Sequence, residues 1–449
     1  MKEKILFDAF PAYGHITAFL QIAEYLREEY ECVFIGPSDY AELVTSKGFV
    51  FLLLNPFPIE PESLEVQRTG LFSAWMNNLL SNREKRLKSE YDQYMAKLTR
   101  LLKELDPAVV LVDDHYALKG LVYLECQVRI LTIQTMVSPI RIKGLPPFQS
   151  DLIPNGKLVN RSKIELSWVR LKFLQKINKL KWLVITNGQL TGSFYKKRLL
   201  ALGYETDSNR CFGIGVNNVP RIINGSALFS FSKENSVNEH FFYRAERNLD
   251  EMGDLRLKSI VDKNKPIIYC SLGTVTMKYA KKCTPFFNLV IAVAMQFKEY
   301  QFVLSVGKDY DLKSLSNQPN NVSIFLSLSQ QSLLPHTTLM ISHGGLNSIK
   351  ECISLEVPMM IFPLSYKWDQ PGNGARVKHL EIGGAYRMKG LSKKKLRRLL
   401  HTNLNRLSHY REHIKRINKA QRELEKAEFK KFKALIYKRK QDEIFSGAA

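Results

Sequence analysis

Short segments of continuous apolar residues alternate with amphipathic helices in both halves of this chain, and this alternation restricts the possible folds most. The segments of strand length span residues 5–10, 32–36, 49–54, 108–113 and 129–135, and then 266–273, 301–307, 322–326, 339–342 and 358–364. Strands without polar alternation are typical of parallel sheets that helices cover on both faces. The sequence therefore predicts an α/β protein with two such sheets.

The length and composition fit two large domains. The chain has 449 residues, of which 45% are hydrophobic and 24% charged, and this balance excludes wholesale disorder and a disulfide scaffold. A less regular stretch at about residues 226–264 separates the two α/β units. We place the first domain at residues 1–250, the second at 251–390, and basic C-terminal helices at 391–449.

Positive charge is in large excess and is unevenly placed. The 66 Lys and Arg residues against 43 Asp and Glu give a net charge of +23, which favours anionic partners. Residues 391–449 hold 18 of the basic residues and six of the acidic ones. No nucleic-acid-binding motif accompanies the charge, so we expect no nucleic acid partner.

A second basic block lies at residues 157–182, where eight Lys or Arg residues stand against Glu165 alone. Its apolar residues recur every three or four positions: Leu166, Val169, Phe173, Ile177 and Leu180. A basic amphipathic helix of this kind can lie on an anionic membrane surface. The alternative is a surface helix that packs on its own domain, and the sequence leaves both open.

The cysteines and the amino terminus bear on location. Six scattered cysteines without a CxxC pair indicate a reduced set with neither a disulfide framework nor a cysteine zinc site. The first apolar segment is interrupted by Asp8 and followed by Pro11 and Gly14, unlike a signal peptide. No apolar run reaches the ~18 residues of a membrane span. We expect a cytoplasmic location, and leave peripheral contact with the inner face of the membrane open.

The most specific segment starts where a predicted strand ends at Ser342. A glycine pair follows, and Asn347 then opens a helix whose N-terminal N–H groups favour an anion such as phosphate. Further polar residues follow this turn and the next strand: His343, Ser348, Glu351, Asp369 and Gln370. In open α/β sheets, ligands bind at the carboxyl ends of strands, so the segment predicts a phosphate-containing ligand.

Residues 343–373 resemble the donor-binding signature of glycosyltransferase family 1, the UDP-glycosyltransferases. The signature is H-x-G-x-N-S-x-x-E, then G-V-P and P-x-x-x-D-Q-x-x-N, and Glu356 replaces the usual Gly before Val-Pro. Ser271-Leu272-Gly273-Thr274 is similar to the family's S-L-G-T loop, and the segment from Gln330 to Pro335 to its P-Q-x-x-L-L. Pro11-Ala12-Tyr13-Gly14-His15-Ile16 resembles the loop that bears the family's catalytic histidine.

The resemblance implies a GT-B fold, in which two Rossmann-like domains face each other across a cleft and the terminal helices cross back to the first domain. It implies an inverting transfer of a hexose from a UDP-sugar to a hydroxyl acceptor, without a metal or a further cofactor. The basic amphipathic segment at residues 157–182 leads us to expect a small lipophilic acceptor, taken from or near the membrane surface. His15 would be the general base, an imidazole being suited to that task near neutral pH. Its carboxylate partner would be Asp113, with Asp114 as the alternative.

The family's donor contacts carry over residue by residue. His343, Gly345, Asn347 and Ser348 would hold the diphosphate with Thr274, Glu351 the ribose hydroxyls, and Gln330 would lie near the base. Asp369 and Gln370 would bind the sugar, with Gln370 favouring glucose, and Thr135 would be a further sugar contact.

Two alternatives stay open, and the first follows from a departure from the family pattern. The family often has an aromatic residue shortly before Pro-Gln, whereas Ser327, Leu328 and Ser329 precede Gln330 here. The donor base could therefore be thymine, which would indicate a dTDP-sugar and a soluble natural-product acceptor. A nucleotide-sugar epimerase or a binding protein of the same fold is the second alternative.

Overall fold

The structure is a computed structural model. It describes residues 2–54, 70–80, 82–207, 209–232, 238–244, 255–261, 264–273, 279–316 and 318–437. The predicted domain boundary at residue 250 and the predicted phosphate contact Thr274 lie outside these ranges.

Two parallel sheets form the framework. Within the described residues the first sheet has seven strands in the order β3-β2-β1-β4-β5-β8-β9, and every pair is parallel. Its strands are β1 Lys4–Asp8, β2 Glu31–Gly36, β3 Val50–Leu53, β4 Val109–Asp113, β5 Ile130–Gln134, β8 Arg221–Ile223 and β9 Glu239–Phe241. The two-residue strands β6 Thr206–Asp207 and β7 Gly215–Val216 form a small antiparallel pair.

The second sheet repeats this architecture. Over the same ranges it has six parallel strands in the order β12-β11-β10-β13-β14-β15. They are β10 Ile267–Ser271, β11 Gln301–Ser305, β12 Val322–Phe325, β13 Thr337–Ser342, β14 Met359–Ile361 and β15 Gly383–Ala385. All ten strands predicted from apolar segments are present, and two parallel α/β units are confirmed.

Helices cover both sheets and extend beyond them. In the first half they are α1 Tyr13–Leu26, α2 Ala41–Thr45, α3 Leu71–Leu80, α4 Arg83–Leu105, α5 Gly120–Glu125, α6 Leu158–Ile185 and α7 Thr191–Ala201. In the second they are α8 Leu255–Val261, α9 Ala280–Ala294, α10 Gln330–Leu333, α11 Leu346–Ser354, α12 Gln370–His379, α13 Lys393–Leu404 and α14 Leu407–Tyr437. Along the described residues, each helix is too short or too polar to serve as a membrane span.

The last helix, α14, connects the two domains. Ile414 packs in the core of the second domain, whereas Phe432 and Ile436 pack in the core of the first with Phe19 and Phe242. Arg129 of the first domain donates a hydrogen bond of 3.0 Å to the Ile436 carbonyl at the end of the helix. The chain therefore returns to its first domain at its end.

The buried face of α14 is partly polar. Leu424 is exposed, while Asn418, Gln421 and Glu425 are buried. The Asn418 side-chain amide donates to the Ile353 carbonyl at 2.8 Å, and Ser226 donates to Gln421 Oε1. Where the helix passes the join of the two domains, it hydrogen-bonds polar groups instead of covering an apolar surface.

The less regular stretch at about residues 226–264 contains two elements that were not predicted. It contains β9, which adds an edge strand to the first sheet, and α8, whose Leu257 and Ile260 pack in the core of the second domain. Both elements are short, and β9 pairs with the three-residue strand β8. Such short elements lack the run of apolar residues that makes the longer strands recognisable.

Candidate active site

The first turn of α11 lies against the first turn of α1, so the two domains meet at the predicted site. Asn347 donates its side-chain amide to the Gly14 carbonyl at 2.9 Å. Deeper in the contact, the buried ammonium of Lys350 donates to Gln21 Oε1 at 2.9 Å and to Asn224 Oδ1 at 2.8 Å. The signature helix of the second domain is thereby placed beside His15.

His15 and Asp113 form a close pair at the carboxyl end of the first sheet. His15 Nδ1 lies 2.8 Å from Asp113 Oδ2, and the hydroxyl of Thr135 is 3.0 Å from the same nitrogen. The backbone N–H groups of Phe10 and His115 also donate to the Asp113 carboxylate, at 3.1 and 2.9 Å. This arrangement points the Nδ1 proton at the carboxylate and leaves Nε2 to accept a proton.

Asp113 stays ionised although it is buried. Burial alone would raise the pKa of its carboxyl group, but the charge and hydrogen bond of His15, together with the contacts of His115, lower that pKa below its ordinary value. A buried carboxylate beside an imidazole favours the imidazolium that forms when the base takes a proton. The pair therefore has the geometry of a general base with its orienting anion.

Asp114, the alternative partner of His15, is engaged elsewhere. Its carboxylate pairs with the guanidinium groups of Arg210 and Arg221, and Arg221 also pairs with Glu239. Burial would raise the pKa of Asp114, and the two guanidinium groups hold it below its ordinary value. Asp114 thus belongs to a buried ion cluster that joins the ends of β4, β8 and β9.

His343 is held between two glycines at the start of the signature. A Cβ atom built on Gly273 would stand 2.6 Å from the imidazole, and one built on Gly345 would stand 2.8 Å from Nε2. Burial lowers the pKa of His343 to about 4. Nδ1 is buried and has no hydrogen-bond partner among the described residues. The neutral ring has one N–H to donate to an anion at this position.

The N-terminus of α11 adds further donors beside His343. Its N-cap is Gly345, and over the described part of the chain no side chain caps the first turn. Within the helix, Ser348 and Glu351 are linked through Gln330, whose amide donates to Ser348 Oγ at 3.2 Å and to the Glu351 carboxylate. The predicted residues Gln330, Ser348 and Glu351 therefore form one polar cluster next to an open helix terminus, where an anion binds readily.

Asp369 and Gln370 lie at the start of α12, beyond the end of β14. Burial raises the pKa of Asp369 to about 6, although the hydrogen bond from Asn373 opposes the shift, and the charge of His15 is close enough to oppose it as well. The side-chain oxygen of Gln370 accepts from the N–H groups of Leu364 and Ser365 at 2.9 and 3.1 Å. These bonds fix the loop that follows β14 and hold the Gln370 side chain within it.

Sequence reasoning missed an aromatic group around His15. Its central member, His115, packs against rings from both domains at centroid distances of 4.5 to 5.6 Å: Phe10, His15, Phe212 and Trp368. Burial and the charge of His15 lower the pKa of His115 to about 4, so this ring is neutral near pH 7. The position of His115, directly after the polar end of β4, was the available signal.

The structure brings the predicted residues of both halves to one cleft. His15, Asp113 and Thr135 lie on its first-domain side. Gln330, His343, Gly345, Asn347, Ser348, Glu351, Asp369 and Gln370 lie on its second-domain side.

Comparisons with known proteins relate parts of the chain to glycosyltransferases. Residues 278–433 match the model of the glycosyltransferase family 28 C-terminal domain. The NDP-glycosyltransferase YjiC of Bacillus subtilis (strain 168) is 34% identical over 125 residues, or 28% of this chain and 30% of that relative. YdhE of the same organism, described as an uncharacterized UDP-glucosyltransferase, is 33% identical over 121 residues, or 27% and 29% of the two chains. The chain thus spans about 30% of the length of these relatives.

The similarity in structure extends over the whole chain. The glycotransferase of kitacinnamycin superposes with a TM-score of 0.61 at 16% identity, and the match covers 95% of each chain. This similarity confirms the predicted GT-B fold.

Proposed function

We propose that this protein is an inverting glycosyltransferase that moves a hexose from a nucleotide diphosphate sugar to a hydroxyl group of a small lipophilic acceptor. The observation that carries the proposal is the bond between Asn347 and Gly14. It sets the open N-terminus of α11, an anion site, beside the pair of His15 and Asp113, a proton acceptor.

The proposed base is Nε2 of His15. It takes the proton of the acceptor hydroxyl while that oxygen forms a bond to the anomeric carbon of the sugar. Asp113 keeps the Nδ1 proton in place and stabilises the imidazolium, and the hydroxyl of Thr135 steadies the same edge of the ring. General base catalysis of this kind contributes about 10²–10⁴-fold to a rate.

The leaving group departs toward the second domain. As the bond between the anomeric carbon and the phosphate oxygen breaks, its electron pair leaves with the diphosphate. The N–H groups of the first turn of α11 and the N–H of His343 would donate hydrogen bonds to that developing charge. Fixed donors of this kind stabilise a transition state without reorganising, so the proposed step needs no metal.

Uridine diphosphate and glucose are the proposed donor components. Glu351 would accept hydrogen bonds from the ribose hydroxyls, and Asp369 and Gln370 would bind the transferred sugar. Support comes from the signature at residues 343–373 and from the similarity to YdhE, which is described as a UDP-glucosyltransferase. A dTDP-sugar is the alternative outcome of the binding test below.

A lipophilic acceptor fits the aromatic group beside the base. The ring of Phe10 lies 4.8 Å from His115 and 4.6 Å from Tyr116, and Phe212 and Trp368 continue the wall toward the second domain. Aromatic surfaces of this kind bind flat or aliphatic molecules by burial and stacking. The acceptor hydroxyl would then reach His15 from an apolar environment.

An anionic membrane surface is the proposed source of such acceptors. Helix α6 buries Ile164 and Trp168 and exposes an apolar row that includes Leu166, Val169 and Phe173. Helix α3, which contacts α6, exposes Phe72 and Leu80. Basic residues flank the row on α6, which is the pattern of helices that lie in the interface of an anionic bilayer. We propose peripheral contact at the inner face of the membrane.

The test is the variant His15→Ala. With UDP-glucose and an alcohol acceptor, we expect turnover to fall by about 10²–10⁴-fold because the proton acceptor is lost. Calorimetric titration with UDP, dTDP and GDP should give the same affinities as the unchanged protein, because His15 lies on the acceptor side.

Several outcomes would overturn the proposal. Full turnover in His15→Ala would show that His15 is not the general base. A sugar nucleotide that is converted without any acceptor would indicate an epimerase instead. If the protein binds dTDP selectively, the proposed transfer still stands, but the donor is a dTDP-sugar instead of a UDP-sugar. If it binds none of the three nucleotides, the proposed donor site is contradicted.

A further inference from the structure

Three potential metal ligands meet on the second domain, on elements that the proposed reaction does not use. His409 and His413 are four residues apart on α14 and therefore lie on one face of that helix. Glu381, in the turn between α12 and β15, faces both of them. One ligand atom from each residue lies within 4.8 Å of the other two.

The two distances between the carboxylate and the imidazoles match tetrahedral coordination. Glu381 Oε2 is 3.1 Å from His409 Nε2 and 3.4 Å from His413 Nε2. Ligands bound at the usual Zn–N and Zn–O lengths around a tetrahedral centre stand about 3.3 Å apart. A metal ion placed among the three atoms would thus replace the two existing contacts with little movement of the side chains.

The type and exposure of the ligands narrow the choice of metal. Two imidazoles and one carboxylate suit zinc and neighbouring divalent transition metals, whereas calcium and magnesium prefer oxygen ligands alone. The side chains of Glu381 and His409 remain partly open to solvent. Water can therefore reach an ion and complete its coordination.

We propose that Glu381, His409 and His413 bind a divalent transition metal ion, with Zn²⁺ as the expected species. The ion would join α14 to the turn that ends α12, the helix whose first residues are the candidate sugar ligands. Because α14 also packs in the first domain, the ion would fix a helix shared by both domains. The site is structural and does not depend on the proposed transfer reaction.

The experiment is titration of the purified protein with Co²⁺ and Zn²⁺ alone, in a buffer that does not chelate metals. We expect one equivalent of Co²⁺ to give the visible absorption of a tetrahedral complex and Zn²⁺ to displace it. The separate variants His409→Ala, His413→Ala and Glu381→Gln should each lower the affinity by at least about tenfold, since even outer contacts of metal ligands contribute that much. Zn²⁺ should raise the Tm of the unchanged protein and have little effect on the Tm of these variants.

The control variant is His401→Ala, which removes an exposed histidine from α13 outside the cluster. It should bind metal like the unchanged protein. Melting of each variant without metal shows that it is folded. Failure to bind stoichiometric Co²⁺ or Zn²⁺, or equal affinity in the three ligand variants and in His401→Ala, would overturn the proposal.

Discussion

At the scale of single residues, the candidate donor site requires glycines as well as the side chains that would bind the donor. The ring of His343 occupies space that side chains at positions 273 and 345 would fill. Gly273 also has a φ of 83°, which an L-residue adopts only with strain, whereas Gly345 has an ordinary φ of −64°. A substitution at position 345 therefore tests whether the ring of His343 needs this space, without adding backbone strain.

Gly345→Ala tests that need. Its Cβ would stand 2.8 Å from His343 Nε2, so we expect the ring to be displaced from the N-terminus of α11. Affinity for UDP should fall at least tenfold, the loss of about one charge-assisted hydrogen bond. Isothermal titration calorimetry measures this change. In the matched control Gly36→Ala, the nearest atom would be 3.5 Å away, and UDP affinity should stay unchanged. Equal affinities in the two variants would contradict the packing argument.

Site residues that lie within a motif could be predicted from the sequence. Site residues that only folding brings together could not. His15 and the residues of 343–370 stand in recognisable patterns, and the structure gathers them in one cleft. The choice between Asp113 and Asp114 could not be made, because it depends on Arg210 and Arg221, about 100 residues further along the chain. The aromatic contacts of His115 with Phe212 and Trp368 could not be predicted either, because these residues are also far apart in the sequence.

At the scale of elements, the burial of a strand or helix explains how well it could be predicted from the sequence. Strands in the middle of a parallel sheet are apolar on both faces, so their sequences are distinctive. Helix α6 was predicted at residues 157–182 and spans Leu158–Ile185. Helix α14 was predicted as a helix, but its polar buried face was not, since Asn418 and Gln421 are buried through bonds to distant residues.

Helix α6 carries the prediction about membranes. The side chains of Leu166 and Phe173 are 66% and 61% exposed, although both are strongly apolar. The double variant Leu166→Gln, Phe173→Gln keeps the charge of the helix and removes two of its exposed apolar side chains. Co-sedimentation with vesicles that contain anionic lipid should fall at least tenfold, because burying such side chains contributes about 1.5–3 kcal/mol each.

The matched control for the vesicle experiment is Leu424→Gln, a neutral change of an exposed leucine on α14. It should co-sediment like the unchanged protein, and vesicles of neutral lipid alone should retain less protein than anionic ones. If the unchanged protein partitions equally between neutral and anionic vesicles, or with neither, a soluble acceptor becomes the better proposal.

At the scale of the whole molecule, the two domains are joined through buried polar groups. Lys350 carries a charge in the contact between α11 and α1, where Gln21 and Asn224 accept its hydrogen bonds and the ring of Tyr243 lies 5.9 Å from its ammonium. Asn224 in turn donates to the Ala18 carbonyl of α1. This bonded network is therefore one of the contacts that hold α11 against α1.

Lys350→Ala should weaken this contact. Without the ammonium, the buried side-chain oxygen of Asn224 loses this donor, and an unsatisfied buried polar group costs about 1–3 kcal/mol. We expect a lower Tm by differential scanning calorimetry. The control Lys378→Ala, which removes an exposed lysine from α12, should leave the Tm nearly unchanged. Equal Tm values for the two variants would show that the network does not stabilise the molecule.

The path of α14 has a consequence for how the chain folds during synthesis. Phe432 is fully buried in the core of the first domain, yet it follows the whole second domain in the sequence. While the ribosome is still translating the second domain, the surface beneath Phe432 and Ile436 stays open to solvent. Exposed apolar surface of this kind promotes aggregation of nascent chains. The first domain therefore reaches its final packing only after Phe432 and Ile436 have left the exit tunnel.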